Sequence, residues 1–206
     1  MSNAATRNPF ADALAAALPE LGELAEAEAG SLAALTALAR VRTLKRDDAL
    51  LRAGDTWRDA FWVERGALRL FYIDSDGNEA NKNFHLERAL LWPITRALRD
   101  TPVRFFVTAL EPSVVHCLPY AALENAAGLL PSWTSLQLAA LGALLDDKMQ
   151  REQSFLQDSA RQRYENLLAT RPEWAQRIAL RHLASYLGMT DVSLSRLRAE
   201  MGLIPR

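Results

Sequence analysis

The stretch Ile178-Ala179-Leu180-Arg181-His182-Leu183-Ala184-Ser185-Tyr186-Leu187-Gly188-Met189-Thr190-Asp191-Val192-Ser193-Leu194-Ser195-Arg196-Leu197-Arg198 reads as two short helices joined by a tight turn. Leu180, Leu183, Ala184 and Leu187 recur at helical spacing and make one apolar face. Gly188 falls where the first helix must close on a left-handed residue, a conformation that costs glycine little. Thr190 offers a side-chain oxygen to the start of the second helix. Leu194 and Leu197, six and nine residues beyond Gly188, turn back onto the first helix, and the small Ala184 allows a close crossing. Together these spacings describe a DNA-binding helix-turn-helix, with an ordinary corner between two helices as the alternative.

In a helix-turn-helix the second helix enters the major groove. Here that helix runs from Asp191 to about Met201, and its outward residues are Asp191, Val192, Ser193, Ser195, Arg196 and Ala199. Arg196 has the reach and the planar fork to pair with guanine O6 and N7. Ser193, Ser195 and the backbone N–H groups after Thr190 suit phosphates, and Arg181, His182 and Arg198 are further phosphate candidates. The candidate DNA-binding set is therefore Thr190, Asp191, Val192, Ser193, Ser195, Arg196, Arg198 and Arg181. Residues 160–206 hold eight Arg against four acids, a net +4 on a chain whose total is -1, so the remaining segment carries -5. A basic segment on an acidic body fits a polyanion partner, and a solvated helical surface is the plainer explanation.

Upstream, Pro131-Ser132 opens a helical segment that reaches about Ser159. Leu138, Leu141, Leu145, Met149 and Leu156 lie along it at steps of three, four, four and seven, close to a coiled-coil period. A long helix with such a seam needs a partner, so these residues are expected to form a homodimer contact, the alternative being packing on the chain's own β-domain. Between Val41 and Leu118 short apolar runs alternate with turn residues, and Asp74-Ser75-Asp76-Gly77-Asn78 carries the Asp-Gly signal of a hairpin. Six or seven short strands predict a small antiparallel barrel or roll. Residues 10–40 are rich in Ala, Leu and Glu, and Pro19, Gly22 and Gly30 break them into short helices.

Half of the 206 residues are hydrophobic and about a quarter charged, the balance of a soluble globular protein. Cys117 is the only cysteine, which rules out an intrachain disulfide and a cysteine-built iron–sulfur or zinc cage. No run of about 18 apolar residues suggests a membrane span, and residues 1–10 lack the pattern of a secretory leader, so a cytoplasmic location is expected. A cupin-type metal site would need clustered ligands, whereas His85 and His116 are far apart in sequence. Cys117 reads as a small buried hydrophobe, and Gly54-Asp55 as a turn rather than an acid/base carboxylate. Neither a glycine-rich phosphate loop nor a nucleophile elbow is present.

The order of parts resembles the catabolite-activator and fumarate-nitrate-regulator (Crp/Fnr) superfamily over roughly residues 20–203. Leu50-Leu51-Arg52-Ala53-Gly54-Asp55 and Phe61-Trp62-Val63-Glu64-Arg65-Gly66-Ala67-Leu68-Arg69-Leu70 look like that family's L-x-x-G-D … V-x-x-G-x-L-R pattern. Val107-Thr108-Ala109-Leu110-Glu111 looks like the strand after its ligand cassette, and Arg196 falls where the family places a shared recognition-helix arginine. The resemblance implies an α+β chain: an N-terminal antiparallel, jelly-roll-like β-roll over residues 10–130, a dimerisation helix over 131–159 and a helix-turn-helix domain over 160–206. It implies a non-enzymatic transcription regulator that binds double-stranded DNA as a homodimer on an inverted repeat, with RNA polymerase as a candidate further partner. A module that binds an effector or a protein, and whose helix-turn-helix only packs, is the alternative.

The chain also departs from the family. Members that bind cyclic AMP carry a Gly-Glu pair for the ribose and an Arg-Ser/Thr pair for the cyclic phosphate. Here Trp92-Pro93 and Val103-Arg104 stand at those places. A buried phosphate without its partner costs several kcal/mol, so Trp92, Pro93, Val103 and Arg104 are expected to line a degenerate effector pocket, with Trp92 able to fill it. No cofactor is expected, and cyclic AMP is not expected to bind. The short Gly202-Leu203-Ile204-Pro205-Arg206 tail leaves little room for the wing found in many relatives.

Overall fold

The computed structural model describes residues 8–25 and 28–203; Arg206, counted above in the basic segment, lies outside them. Eight strands form two antiparallel four-stranded sheets among the described residues. One sheet has the order β1 (Arg40–Leu44), β8 (Ser113–Pro119), β3 (Asp59–Arg65), β6 (Leu90–Leu91). The other has the order β2 (Ala49–Leu51), β7 (Phe106–Ala109), β4 (Leu68–Ile73), β5 (Glu79–His85). Their inner faces share one core, in which Leu51, Trp57, Phe61, Val63, Leu70, Phe105, Val107 and Val115 are buried.

Side chains alternate across a strand, and β3 shows both of its faces in use. Phe61 and Val63 point into the roll. Ala60 and Trp62 point outward into a second core with Phe10 and Leu14 of α1 (Pro9–Ala17), Leu35 of α2 (Leu32–Leu38), and Tyr120 and Leu123 of α4 (Tyr120–Ala127). A strand covered on both faces reads as a continuous apolar run, which is how residues 60–63 read in the sequence. The register sets Phe61 opposite Cys117 and Trp62 opposite His116.

The Asp-Gly hairpin forms as its chemistry requires. Gly77 takes φ +85°, and the Asp74 carboxylate accepts the N–H groups of Asp76 at 2.9 Å and Asn78 at 2.8 Å. Two elements escaped the sequence reading because they are too short to show a period: the two-residue β6, and α3 (Arg96–Asp100). The apolar run Val103–Leu110 predicts a strand from Val103, but β7 begins at Phe106; residues 103–105 form a loop, held because Val103 exchanges backbone hydrogen bonds with Gly54 and Asp55.

Helix α5 (Pro131–Gln157) leaves the roll at Trp133, which is buried in the outer core. At 1.5 Å per residue it is about 40 Å long. Ser159 starts α6 (Ala160–Thr170) through a capping box with Gln162. Then follow α7 (Pro172–Arg177), α8 (Leu180–Tyr186) and α9 (Asp191–Glu200). These last helices share a third core, in which Tyr164, Leu167, Trp174, Leu183, Leu187 and Leu194 pack with Ala67 and Phe84 of the roll.

Gly66, between β3 and β4, has φ +101°, and a Cβ there would lie 2.7 Å from the Ser113 Cα. Gly77 has a similar φ of +85° but open space around it. Gly66→Ala is expected to lose about 2–3 kcal/mol in urea unfolding, because strain and a backbone clash combine. Gly77→Ala pays the left-handed strain alone, about 1 kcal/mol. Equal losses at the two positions would contradict this geometry.

Candidate nucleic-acid interface

The turn between α8 and α9 is a Schellman closure. Gly188 takes φ +68°, its N–H bonds to the Ser185 carbonyl, and the Met189 N–H reaches back to the Ala184 carbonyl at 3.0 Å. The Phe155 ring of α5 lies on this glycine, so that a Cβ there would meet the ring at 2.5 Å. Thr190 caps α9 by accepting the Ser193 N–H at 3.1 Å. Leu194 is fully buried, with Leu183, Ala184 and Leu187 in the same core.

Burying Leu194 fixes which face of α9 looks out. Val192, Ser195, Arg196 and Ala199 lie on the opposite side of the helix and are exposed, as are Asp191 and Ser193 on its flanks. Arg196 makes no hydrogen bond or salt bridge with any described residue, and neither does Arg181, which is also exposed. The first turn differs from the sequence expectation. The Val192 N–H is taken by the Asp191 carboxylate at 2.9 Å and the Ser193 N–H by Thr190, so these donors are not open to a phosphate. Arg198 is half-buried with its Nε enclosed and unpartnered, so it is less available for phosphate than the sequence suggested.

The basic segment divides into two groups. Arg163 donates to the Leu187 and Asp158 carbonyls, Arg171 faces Asp147 at 3.4 Å, and Arg161 faces Glu165 and Glu200. Arg177 bridges Glu87 and Glu111 of the roll, and its guanidinium holds the Glu87 carboxyl down to about 2. These arginines hold the helices to one another and to the roll. Arg181 and Arg196 are the open ones.

His182 and Ser185 face the roll, not a duplex. The Ser185 hydroxyl accepts the Asn81 N–H at 3.0 Å and donates to the Glu79 carbonyl at 3.1 Å, capping the free edge of β5. His182 is buried, and Arg69 donates to its Nδ1 at 3.2 Å while pairing with Glu79. An arginine can only donate, so this contact requires a neutral imidazole with its proton on Nε2. Arg151 of α5 completes the joint by donating to the Lys82, Asn81 and Tyr186 carbonyls. Sequence reasoning missed this joint because its partners lie far apart in the chain, 113 residues for Arg69 and His182.

The α5 seam is open. Leu138, Leu141, Leu145, Met149 and Leu156 are all exposed, while Trp133, Leu136 and Ala140 pack on the chain's own roll. The four residues expected to line an effector pocket do not come together. Val103 sits in the roll interior, Trp92 lies in the outer core with Trp62 and Leu118, Pro93 is buried beside it, and Arg104 is exposed. The expectation that Trp92 fills the pocket is therefore corrected, because its side chain lies in the outer core. Trp57 is among the residues that fill the interior, stacked on Phe61 with ring centroids 5.9 Å apart and edge-on to Phe105.

The remaining candidates have structural partners. His116 pairs with Glu64 and lies against Phe10 and Trp62. Asp55 closes its turn on the Arg52 N–H. Cys117 is buried, which pushes its thiol up to about 11. Among the described residues no group of three or more His, Cys, Asp or Glu could hold a metal ion, and no helix is long and apolar enough to cross a membrane.

No protein-family profile matches the chain. It is 36% identical over 92 residues to the transcriptional activator protein FnrA of Stutzerimonas stutzeri, a match that covers 45% of this chain and 37% of that protein. The chain thus aligns with little more than a third of that relative's length. It is 23% identical over 170 residues to the fumarate and nitrate reduction regulatory protein of Escherichia coli, covering 77% of this chain and 67% of that protein. Among solved structures, FixK2 from Bradyrhizobium japonicum superposes with a TM-score of 0.68 at 21% identity, covering 80% of this chain and 85% of that one.

The joint at His182 has a pH signature. Burial first, then Arg69 and Arg181, hold the imidazole down to about 4 against the opposing pull of Glu79 and Asp47. The unfolded chain takes up a proton near 6.5 that the folded chain refuses, so this stability is full above 6.5 and falls as pH drops toward 4. His85, held down to about 4 mainly by burial, adds to the same slope. Urea midpoints should fall from pH 7 to about 4.5, and His182→Gln, which can still accept from Arg69, should fall less steeply. The same slope in both proteins would contradict the assignment.

Proposed function

We propose that this chain is a member of the Crp/Fnr superfamily and a sequence-specific DNA-binding transcription regulator that acts as a homodimer on an inverted-repeat site. The observation that carries this reading is the outward face of α9, which is exposed and holds an arginine with no partner among the described residues. A guanidinium fork on a helix that stands clear of the protein suits guanine O6 and N7 in a major groove. Arg181 supplies a phosphate contact at the flank, and the Ser195 hydroxyl supplies another. The similarity to regulators named as transcriptional activators supports a binding protein rather than an enzyme.

The homodimer rests on α5. Five large apolar side chains on one seam of a helix are exposed, and each is worth about 1.5–3 kcal/mol when fully buried. Packed against the same seam of a second copy, they would hold two recognition helices about 34 Å apart, one turn of DNA. The reading includes no cyclic nucleotide. Supporting this, aromatic side chains occupy the roll interior and Arg104 is exposed, so no guanidinium from the expected set stands inside to meet a cyclic phosphate. A cytoplasmic location and contact with RNA polymerase belong to the same proposal.

Two experiments test it. In a gel-shift salt series on a duplex chosen from random DNA, affinity should fall steeply with salt, and Arg196→Ala should lose about 1–3 kcal/mol of discrimination at one base pair of each half-site. Identical selected motifs for the wild type and Arg196→Ala would remove Arg196 as a base reader. In sedimentation, Leu145→Glu should convert a dimer to a monomer, because a charge in the seam leaves a buried carboxylate unpaired. A dimer that survives this change would place the interface elsewhere.

A further inference from the structure

Resting on the DNA-binding reading above, we infer that Val192 is a second base reader, whose γ-methyl groups pack on the C5 methyl of a thymine within about two base pairs of the guanine met by Arg196. Val192 is 56% exposed at the start of α9, where an apolar β-branched residue gains nothing from solvent. It does not pack inward, because the buried side of the helix belongs to Leu194. Nor can its backbone serve a phosphate, because its N–H is occupied by the Asp191 carboxylate. That carboxylate also places a negative charge beside the helix start and disfavours a phosphate there. What Val192 presents outward is therefore a pair of methyl groups.

The spacing fixes the distance to the neighbouring contact. Val192 and Arg196 are four residues apart on one face, about 6 Å along the helix axis, which spans roughly two steps of 3.4 Å in the duplex. In the major groove the one apolar feature of a normal base pair is the thymine methyl, and apolar side chains are the groups that recognise it. Arg196 and Val192 thus divide the work: the arginine reads hydrogen-bond acceptors on guanine, and the valine reads a methyl group one helical turn toward the start of α9.

The test removes one methyl group and nothing else. On the full chain's selected site, each thymine near the guanine lost with Arg196→Ala is replaced in turn by uracil. At one of these positions per half-site, uracil should weaken wild-type binding about three- to fivefold, the effect of roughly one buried CH₂ group. Val192→Ser should bind the thymine and uracil sites equally. Val192→Thr, which keeps one γ-methyl, should recover part of the difference, and the salt-dependent binding that Val192→Ser retains on both sites shows that the serine variant is folded. Placing 5-methylcytosine opposite guanine at the same position should restore affinity to the wild type over plain cytosine. The inference is overturned if uracil is without effect at every thymine in reach, or if it weakens wild type and Val192→Ser alike. Failure of the wild type to bind any duplex in a salt-dependent manner would instead remove the DNA-binding reading on which it rests.

Discussion

The close crossing of α8 and α9 is the constraint from which the rest of the molecule's arrangement follows. Gly188 closes α8 in a left-handed turn that a Cβ would spoil twice over, by backbone strain and by contact with the Phe155 ring. The turn sends Leu194 into the core beside Ala184, and a helix with one side buried can present only the other. The polar and open character of Arg196 is thus a consequence of where Leu194 goes. Because Phe155 belongs to α5, the same glycine also ties the seam helix to the turn between α8 and α9.

A second set of contacts sets where this unit sits. The outer strand of a sheet leaves backbone groups unpaired, which invites pairing with another chain. Here β5 is that strand, and α8 covers it, with Ser185 satisfying one N–H and one carbonyl. Arg69 is buried, so its charge must be compensated, and Glu79 supplies the opposite charge while the neutral His182 accepts one of its N–H groups. The bridge from Arg177 to Glu87 and Glu111 is partly solvated at all three members and joins the last helices to the roll at a second point.

The sequence made legible whatever is written locally. The glycine of the turn, the Thr190 cap, the Asp74 hairpin and the Leu138–Leu156 seam all depend on residues within a few positions of one another, and each is where the spacing placed it. The same reasoning failed where the partner is distant. His182 looked like a phosphate ligand because its helix is next to α9, yet it turns toward Arg69 and Glu79 across the chain. Trp92 looked like a pocket filler because it aligns with a ligand-binding position, yet alternation along the chain sends it to the outer core. Net charge misled in the same way, because four of the eight arginines of the basic segment, Arg161, Arg163, Arg171 and Arg177, are engaged by carbonyls and carboxylates of the protein itself.

The central claim is that the face of α9 opposite Leu194 enters a major groove. Dimethyl sulfate distinguishes the grooves, because it methylates guanine N7 in the major groove and adenine N3 in the minor groove. With the full chain bound to its selected duplex, the account predicts protection of guanine N7 at two positions about one helical turn, ~34 Å, apart. It predicts no matching protection of adenine N3 between them. Guanines that stay fully reactive in the bound complex, or protection confined to adenine N3, would contradict it.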